Sequence, residues 1–244
     1  MKMNSICAIL NLTEDEKALK PLTQARPIAS LPFASRYRLI DFNLSSISHA
    51  EINSVGIFIA GSGRSIYDHI RSGSVWNLES GLTGGISTYS QQLLKEIQEH
   101  NGDDMDYYMN HKEFIARSKG EYVIVMGSKI LANVDIKAIM QHHLAKDGAL
   151  TVVYKTVPRS FLENRPDEKV LKIDRDEYLV RLTDAKDAPE DLERLAISMN
   201  MYFMRADKML ELIQRAEAED VQLDSGKLIE HYMPEYQINT YEYT

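Results

Sequence analysis

An apolar run at residues 5–12, SICAILNL, followed at once by a polar loop, sets the strongest limit on how this chain folds. A run of that length suits one buried strand and is too short for a core helix. Similar runs return at residues 54–60 (SVGIFIA), 121–126 (EYVIVM) and 149–157 (ALTVVYKTV). Helical stretches separate them, at residues 40–50, 65–71, 107–118 and 135–146. In the last of these, Ile136, Ile139, Met140 and Leu144 recur at the spacing of one buried helical face. Residues 169–173 and 178–182 flank Asp174-Arg175-Asp176-Glu177 and read as a hairpin. Strands at 198–204 and 236–243 and helices at 207–219 and 225–233 complete the chain, and residues 73–90, with Trp76 and several glycines, read as an irregular loop. This alternation predicts an α/β fold: a Rossmann-like, doubly wound, mostly parallel sheet with an antiparallel hairpin insertion.

The 244 residues suffice for one such domain, spanning residues 1–244. No apolar run approaches the roughly 20 residues of a membrane helix, and Glu14-Asp15-Glu16 follows too early for a secretory leader. Cys7 is the single cysteine, which fits a reducing, cytoplasmic setting. Net charge is −8. Residues 1–80 carry 8 Lys and Arg against 7 Asp and Glu, so the remainder carries 20 against 29. That balance excludes nucleic acid as the main partner while leaving room for a small phosphate ligand in a local cationic pocket. Gly61-Ser62-Gly63-Arg64-Ser65 lacks the lysine ending of a phosphate loop and reads as a strand-to-helix turn. His142 and His143 are adjacent and face apart, so they make no metal pair; His69 and His111 read as structural, and no G-x-S-x-G elbow occurs.

Residues 21–51, PLTQARPIASLPFASRYRLIDFNLSSISHAE, carry the most specific pattern, with a turn at Ala34-Ser35. PLTQAR, LPF and YRLIDFNLSS in that order resemble the N-terminal signature of the sugar-nucleotide pyrophosphorylases, and of glucose-1-phosphate adenylyltransferase in particular. The likeness runs on through SIYDHI (65–70), Trp76 with Gly84-Gly85, Tyr108 and Asn110, EYVIVMGS (121–128) and SMNMYFM (198–204). It implies the nucleotidyltransferase fold over the whole chain, with the family's C-terminal β-helix domain absent.

The positions that carry the family's chemistry differ. Its glycine-rich nucleotide loop is Asn11-Leu12-Thr13-Glu14-Asp15-Glu16-Lys17-Ala18-Leu19 here, without glycine and with three carboxylates. It reads as a solvated acidic turn that would repel a triphosphate. The phosphate-neutralising lysine aligns with Ile28, while Arg26 is kept. The aspartate that holds catalytic Mg²⁺ is Ser128, with Lys129 beside it as partial replacement of charge. The adenine-facing GTAD is Gly102-Asp103-Asp104-Met105, and the sugar-phosphate lysine falls one residue from Lys186. A second metal carboxylate would follow Thr244.

The resemblance therefore implies no catalytic residues and no metal site. The expected residual ligand cleft comprises Arg26, Tyr108, Asn110, Lys129, Lys186 and Ser198. It points to a non-catalytic, GlgD-type regulatory subunit of bacterial glucose-1-phosphate adenylyltransferase, needing no cofactor. Its partners would be the catalytic subunit and a sugar-phosphate or nucleotide effector. The alternative is an active, Mg²⁺-dependent nucleotidyltransferase making ADP-glucose and pyrophosphate from ATP and glucose 1-phosphate.

Overall fold

The computed structural model describes residues 5–14, 19–24, 26–79, 84–91 and 107–244. Strand β1 (Ile6–Leu12) is the run that opens the chain, buried along nearly its whole length. A loop leads to the two-residue strands β2 (Pro32–Phe33) and β3 (Tyr37–Arg38), joined through Ala34 and Ser35, both at positive φ. Helix α1 (Leu39–His49) follows directly; its first turn is closed by the Asp41 carboxylate, which accepts the Arg38 N–H at 3.0 Å. Then come β4 (Ser54–Ile59), α2 (Arg64–Ile70), β5 (Gly85–Ser90), α3 (Met109–Ser118), β6 (Tyr122–Met126), α4 (Ile136–Ala145) and β7 (Leu150–Pro158). The hairpin β8 (Lys169–Ile173) and β9 (Leu179–Asp184) precedes β10 (Arg194–Arg205), α5 (Ala206–Ala218), α6 (Ser225–Tyr232) and β11 (Ile238–Glu242).

The strands form one sheet in the order β11-β7-β10-β6-β1-β4-β5, with β8 and β9 attached beside β10. β1 pairs in parallel with both β4 and β6, β4 with β5, and β7 with β11. β10 runs against β6 and β7. The result is the expected mostly parallel, doubly wound α/β sheet with an antiparallel hairpin. Two apolar layers cover its faces. One centres on Leu10, Ile40, Ile57, Ile124 and Phe203, the other on Ile9, Phe58, Val125, Tyr202 and Leu228. Alternate residues of β1 thus feed opposite cores, as a strand buried on both faces requires.

One expectation needs correction. Residues 85–90 are not part of an irregular loop; they form β5, paired with the outer edge of β4 from Ser54↔Gly85 to Ile59↔Ser90. The unpaired polar groups of β4 recruit it, and the chain can approach there because Gly84 and Gly85 carry no side chain. A Cβ on Gly84 would stand 2.6 Å from the Asn53 carbonyl oxygen. Gly85 adopts φ 108° and donates its N–H to the same carbonyl at 2.6 Å.

Candidate functional site

Ligands of open α/β sheets bind beyond the carboxyl ends of the strands, where the strand order diverges. Here that point lies at β1, with β4 on one side and β6 on the other. Because β10 is antiparallel to β6, Met201 pairs with Met126, and the segment before it reaches the same end of the sheet. The ladder between β10 and β7 is interrupted between Ser198 and Met201, and Asn200 sits at φ 55°. Such a bulge re-aims a side chain: the Asn200 amide points toward the end of β6.

The centre of the cleft is Glu14. One of its oxygens accepts the Ser128 N–H at 2.7 Å and the Ser128 hydroxyl at 2.5 Å; the other accepts Asn200 Nδ2 at 3.0 Å. Burial pushes the Glu14 carboxyl above the usual carboxylate range, against the pull of the Ser128 bonds and of the Lys129 charge. The frame beneath is fixed by backbone contacts. Gly127 N–H donates to the Asn200 carbonyl at 2.8 Å, and the Asn43 side chain donates to the Gly127 carbonyl at 2.8 Å. The reading of residues 11–19 as a solvated acidic turn is therefore corrected at Glu14, which turns inward because three donors at the end of the sheet need an acceptor. Asp15 and Glu16 lie outside the described residues.

The polar network extends through β10 into α6. Tyr202, fully buried, places its hydroxyl 3.2 Å from Asn200 Oδ1 and 2.7 Å from Glu230 Oε1. Burial raises the Glu230 carboxyl too and holds the Tyr202 phenol well above its ordinary range. Asp224 caps α6 by accepting the N–H groups of Gly226 and Lys227, each at 3.1 Å, and also receives Asn11 Nδ2 at 2.8 Å. Thr13 donates to Asn11 Oδ1 at 2.9 Å. Glu14, Asp224 and Glu230 thus bring three carboxyl groups to the side of the cleft where the resemblance places a nucleotide.

The six residues expected to line a ligand cleft lie on different elements. Ser198 (9% exposed) and the exposed Lys129 are at this end of the sheet; the Ser198 hydroxyl accepts the Asn200 N–H at 3.1 Å. Tyr108 is buried, and its hydroxyl bridges backbone by donating to Val221 O and accepting from Leu223 N, both at 3.0 Å. Its phenol is pushed up to about 12, chiefly by burial. Asn110 is half-buried in the first turn of α3, and Arg26 is exposed in the loop before β2. Lys186 lies beyond β9, 3.5 Å from Asp184 and 3.8 Å from Asp167. Ile28 is only 2% exposed, in a short 3-10 turn at residues Ile28–Ser30. Residues 102–105 lie outside the described residues. Sequence reasoning read Glu14 as solvated and missed Asn200, Tyr202, Asp224 and Glu230. Of these four, only Asp224 carried a local signal, an N-cap type just ahead of a helix.

Residues 17–239 match the family described as Nucleotidyl transferase. The chain belongs to the nucleotidyl transferase family. Among curated nucleotidyl transferase relatives, the Glycogen biosynthesis protein GlgD of Geobacillus stearothermophilus is 34% identical over 150 residues, 62% of this chain and 43% of that protein. The GlgD of Bacillus subtilis is 30% identical over 152 residues, 62% of this chain and 44% of its own length. The glucose-1-phosphate adenylyltransferase of Photobacterium profundum is 27% identical over 248 residues, 99% of this chain and 60% of that enzyme. The matches thus span about half the length of these relatives.

The magnesium ion that the nucleotidyl transferase resemblance brings with it does not fit the residues present. Mg²⁺ needs oxygen ligands with lone pairs, carboxylates above all. At the aligned position Ser128 turns an N–H and an O–H donor toward Glu14, and the amide nitrogen of Asn200 does the same. Among the described residues, no group of three or more His, Cys, Asp or Glu is placed to hold a metal, and no helix is long and apolar enough to cross a membrane.

Proposed function

We propose that this chain is the nucleotidyltransferase-like part of a catalytically silent regulatory subunit, one that modulates a catalytic glucose-1-phosphate adenylyltransferase subunit in glycogen biosynthesis. The observation that carries this reading is the engagement of Ser128 with Glu14. Nucleotidyl transfer is mostly charge neutralisation and in-line positioning, and the cation is central to both. The residue in the metal-carboxylate position is neutral and already bonded. The residue in the phosphate-lysine position, Ile28, is an apolar core side chain. Likeness to two GlgD proteins favours the same reading. Regulation would be allosteric: this subunit biases its partner between two states through their shared interface, with a sugar phosphate or a nucleotide as effector.

The test is a titration of the full-length protein into its catalytic partner, following pyrophosphate release from ATP and glucose 1-phosphate with Mg²⁺. The expected result is silence of the protein alone and a shift in the partner's substrate affinity or maximal rate. Pyrophosphate release by the protein alone would establish the other reading, an active nucleotidyltransferase with a rebuilt site.

A further inference from the structure

Ser128 N–H, Ser128 O–H and the Asn200 amide converge on a single carboxylate and donate to both of its oxygens. Contacts other than those to Glu14 also hold them in place. Asn200 is aimed by the β10 bulge and its φ of 55°. The Gly127–Ser128 backbone is tied to β10 by Gly127 N–H and to α1 by Asn43. Space is kept open at Gly127, where a Cβ would stand 2.5 Å from Glu14 Oε1. The Lys129 charge adds an attractive field. Rigid donors around a small space, with a cation alongside, describe an anion site. Glu14 reaches it on the segment after β1, the strand that flanks β6 opposite β10.

We propose that Ser128 and Asn200 form an anion cradle which the chain fills with its own Glu14 carboxylate, so that a phosphate-bearing ligand reaches this end of the cleft only when Glu14 is displaced. The inference rests on the silent-subunit reading, since an enzyme turning over a nucleotide would need this end of its cleft free. It adds a cause for the silence and a place where a phosphorylated effector would act.

Calorimetric titrations of the whole chain with inorganic phosphate, ATP and glucose 1-phosphate test it, in the wild type and in E14A, E14Q and E14A/S128A. The expected result is at least tenfold tighter binding of one or more probes to E14A, and a clearly smaller gain in E14A/S128A, which loses the Ser128 hydroxyl and keeps its N–H. Which probe gains separates a bare phosphoryl site from one that also reads a nucleotide or a sugar. Unchanged affinity in a folded E14A would overturn the proposal and leave Glu14 as a structural tie, lowering the melting temperature only. Should E14A fail to fold, E14Q decides: it keeps the size and removes the charge, so a gain of a few-fold supports the cradle and no gain overturns it. These titrations involve neither partner nor turnover. Failure of the silent-subunit reading would appear separately, as pyrophosphate release by the wild-type chain.

Discussion

Tyr202 and Glu230 meet at 2.7 Å between the centre of the sheet and the helix packed on it, with Asn200 Oδ1 at 3.2 Å from the same hydroxyl. A phenol has one proton to give. When Glu230 is ionised it takes that proton, and the Asn200 contact lapses. When Glu230 is protonated it donates to Tyr202, which then donates to Asn200, and every bond in the chain toward Glu14 is made. The folded state raises the Glu230 pKa above its ordinary 4.5, mainly through burial. The stability it contributes is therefore complete below 4.5 and is lost as pH rises through the folded value. In E230Q that slope should flatten, with stability at neutral pH equal to or above the wild type, read from urea midpoints at pH 5 and 7.5. A steeper loss in E230Q at neutral pH would contradict it. Y202F should cost about 1–3 kcal/mol, because it leaves a half-buried carboxyl without its partner.

S128D restores the carboxylate of the family pattern, but beside Glu14. Two carboxylates at hydrogen-bond range cannot both ionise freely, and one pKa rises. A loss of about 1–3 kcal/mol at neutral pH is expected, shrinking as pH falls toward 5, since a tenfold change in an ionisation equilibrium is worth about 1.4 kcal/mol. Pyrophosphate release should stay absent. A stable, pH-insensitive S128D, or an active one, refutes this account of the cleft.

Gly127 leaves room for more than one neighbour. A Cβ there would stand 2.5 Å from Glu14 Oε1 and 2.9 Å from Asn200 Cβ. G127A should destabilise by about 1–3 kcal/mol through overpacking, measured as a lower thermal midpoint. Removing the Glu14 side chain relieves the first clash and leaves the second. The double variant with E14A should therefore be less than additive, with a coupling of about 0.5–3 kcal/mol; strict additivity would mean that the Glu14 carboxylate does not stand beside Gly127 in solution.

Asp224 holds both the start of α6 and Asn11 of β1. D224A should lose about 1–2 kcal/mol as a missing helix cap, plus the cost of the stranded Asn11 amide. D224N, which still caps, should recover most of it. Chemical denaturation of the three proteins ranks them directly.

The strands and helices that bury a continuous apolar run or a helical stripe were legible in the sequence: β1, β4, β6 and β7, with α1, α4 and α5 following from the same logic. β5 was not, because GISTYS has little apolar content and becomes a strand by completing the edge of β4. The cleft was legible as a set of departures, at Glu14, Ile28 and Ser128, but not as a structure. A charged loop residue such as Glu14 looks solvated until the donors of Ser128 and Asn200, far along the chain, are brought to it. The positive φ of Asn200 belongs to a bulge fixed by strand pairing, which local residue preferences do not encode. Tyr108 shows the reverse: it matched a family motif yet serves as a backbone bridge.

The antiparallel course of β10 also sets an order of events. Asn200 bonds Glu14 across 186 positions of sequence, and Asn11 bonds Asp224 across 213. Contacts of such separation are closed late, after local helices and neighbouring strands have formed. A chain emerging from the ribosome would complete β1, β4 and β6 while Asn11 and Glu14 still lacked their partners. The cleft is thus among the last parts of the domain to be finished, and the segment after β1 stays open to other contacts until β10 and α6 arrive.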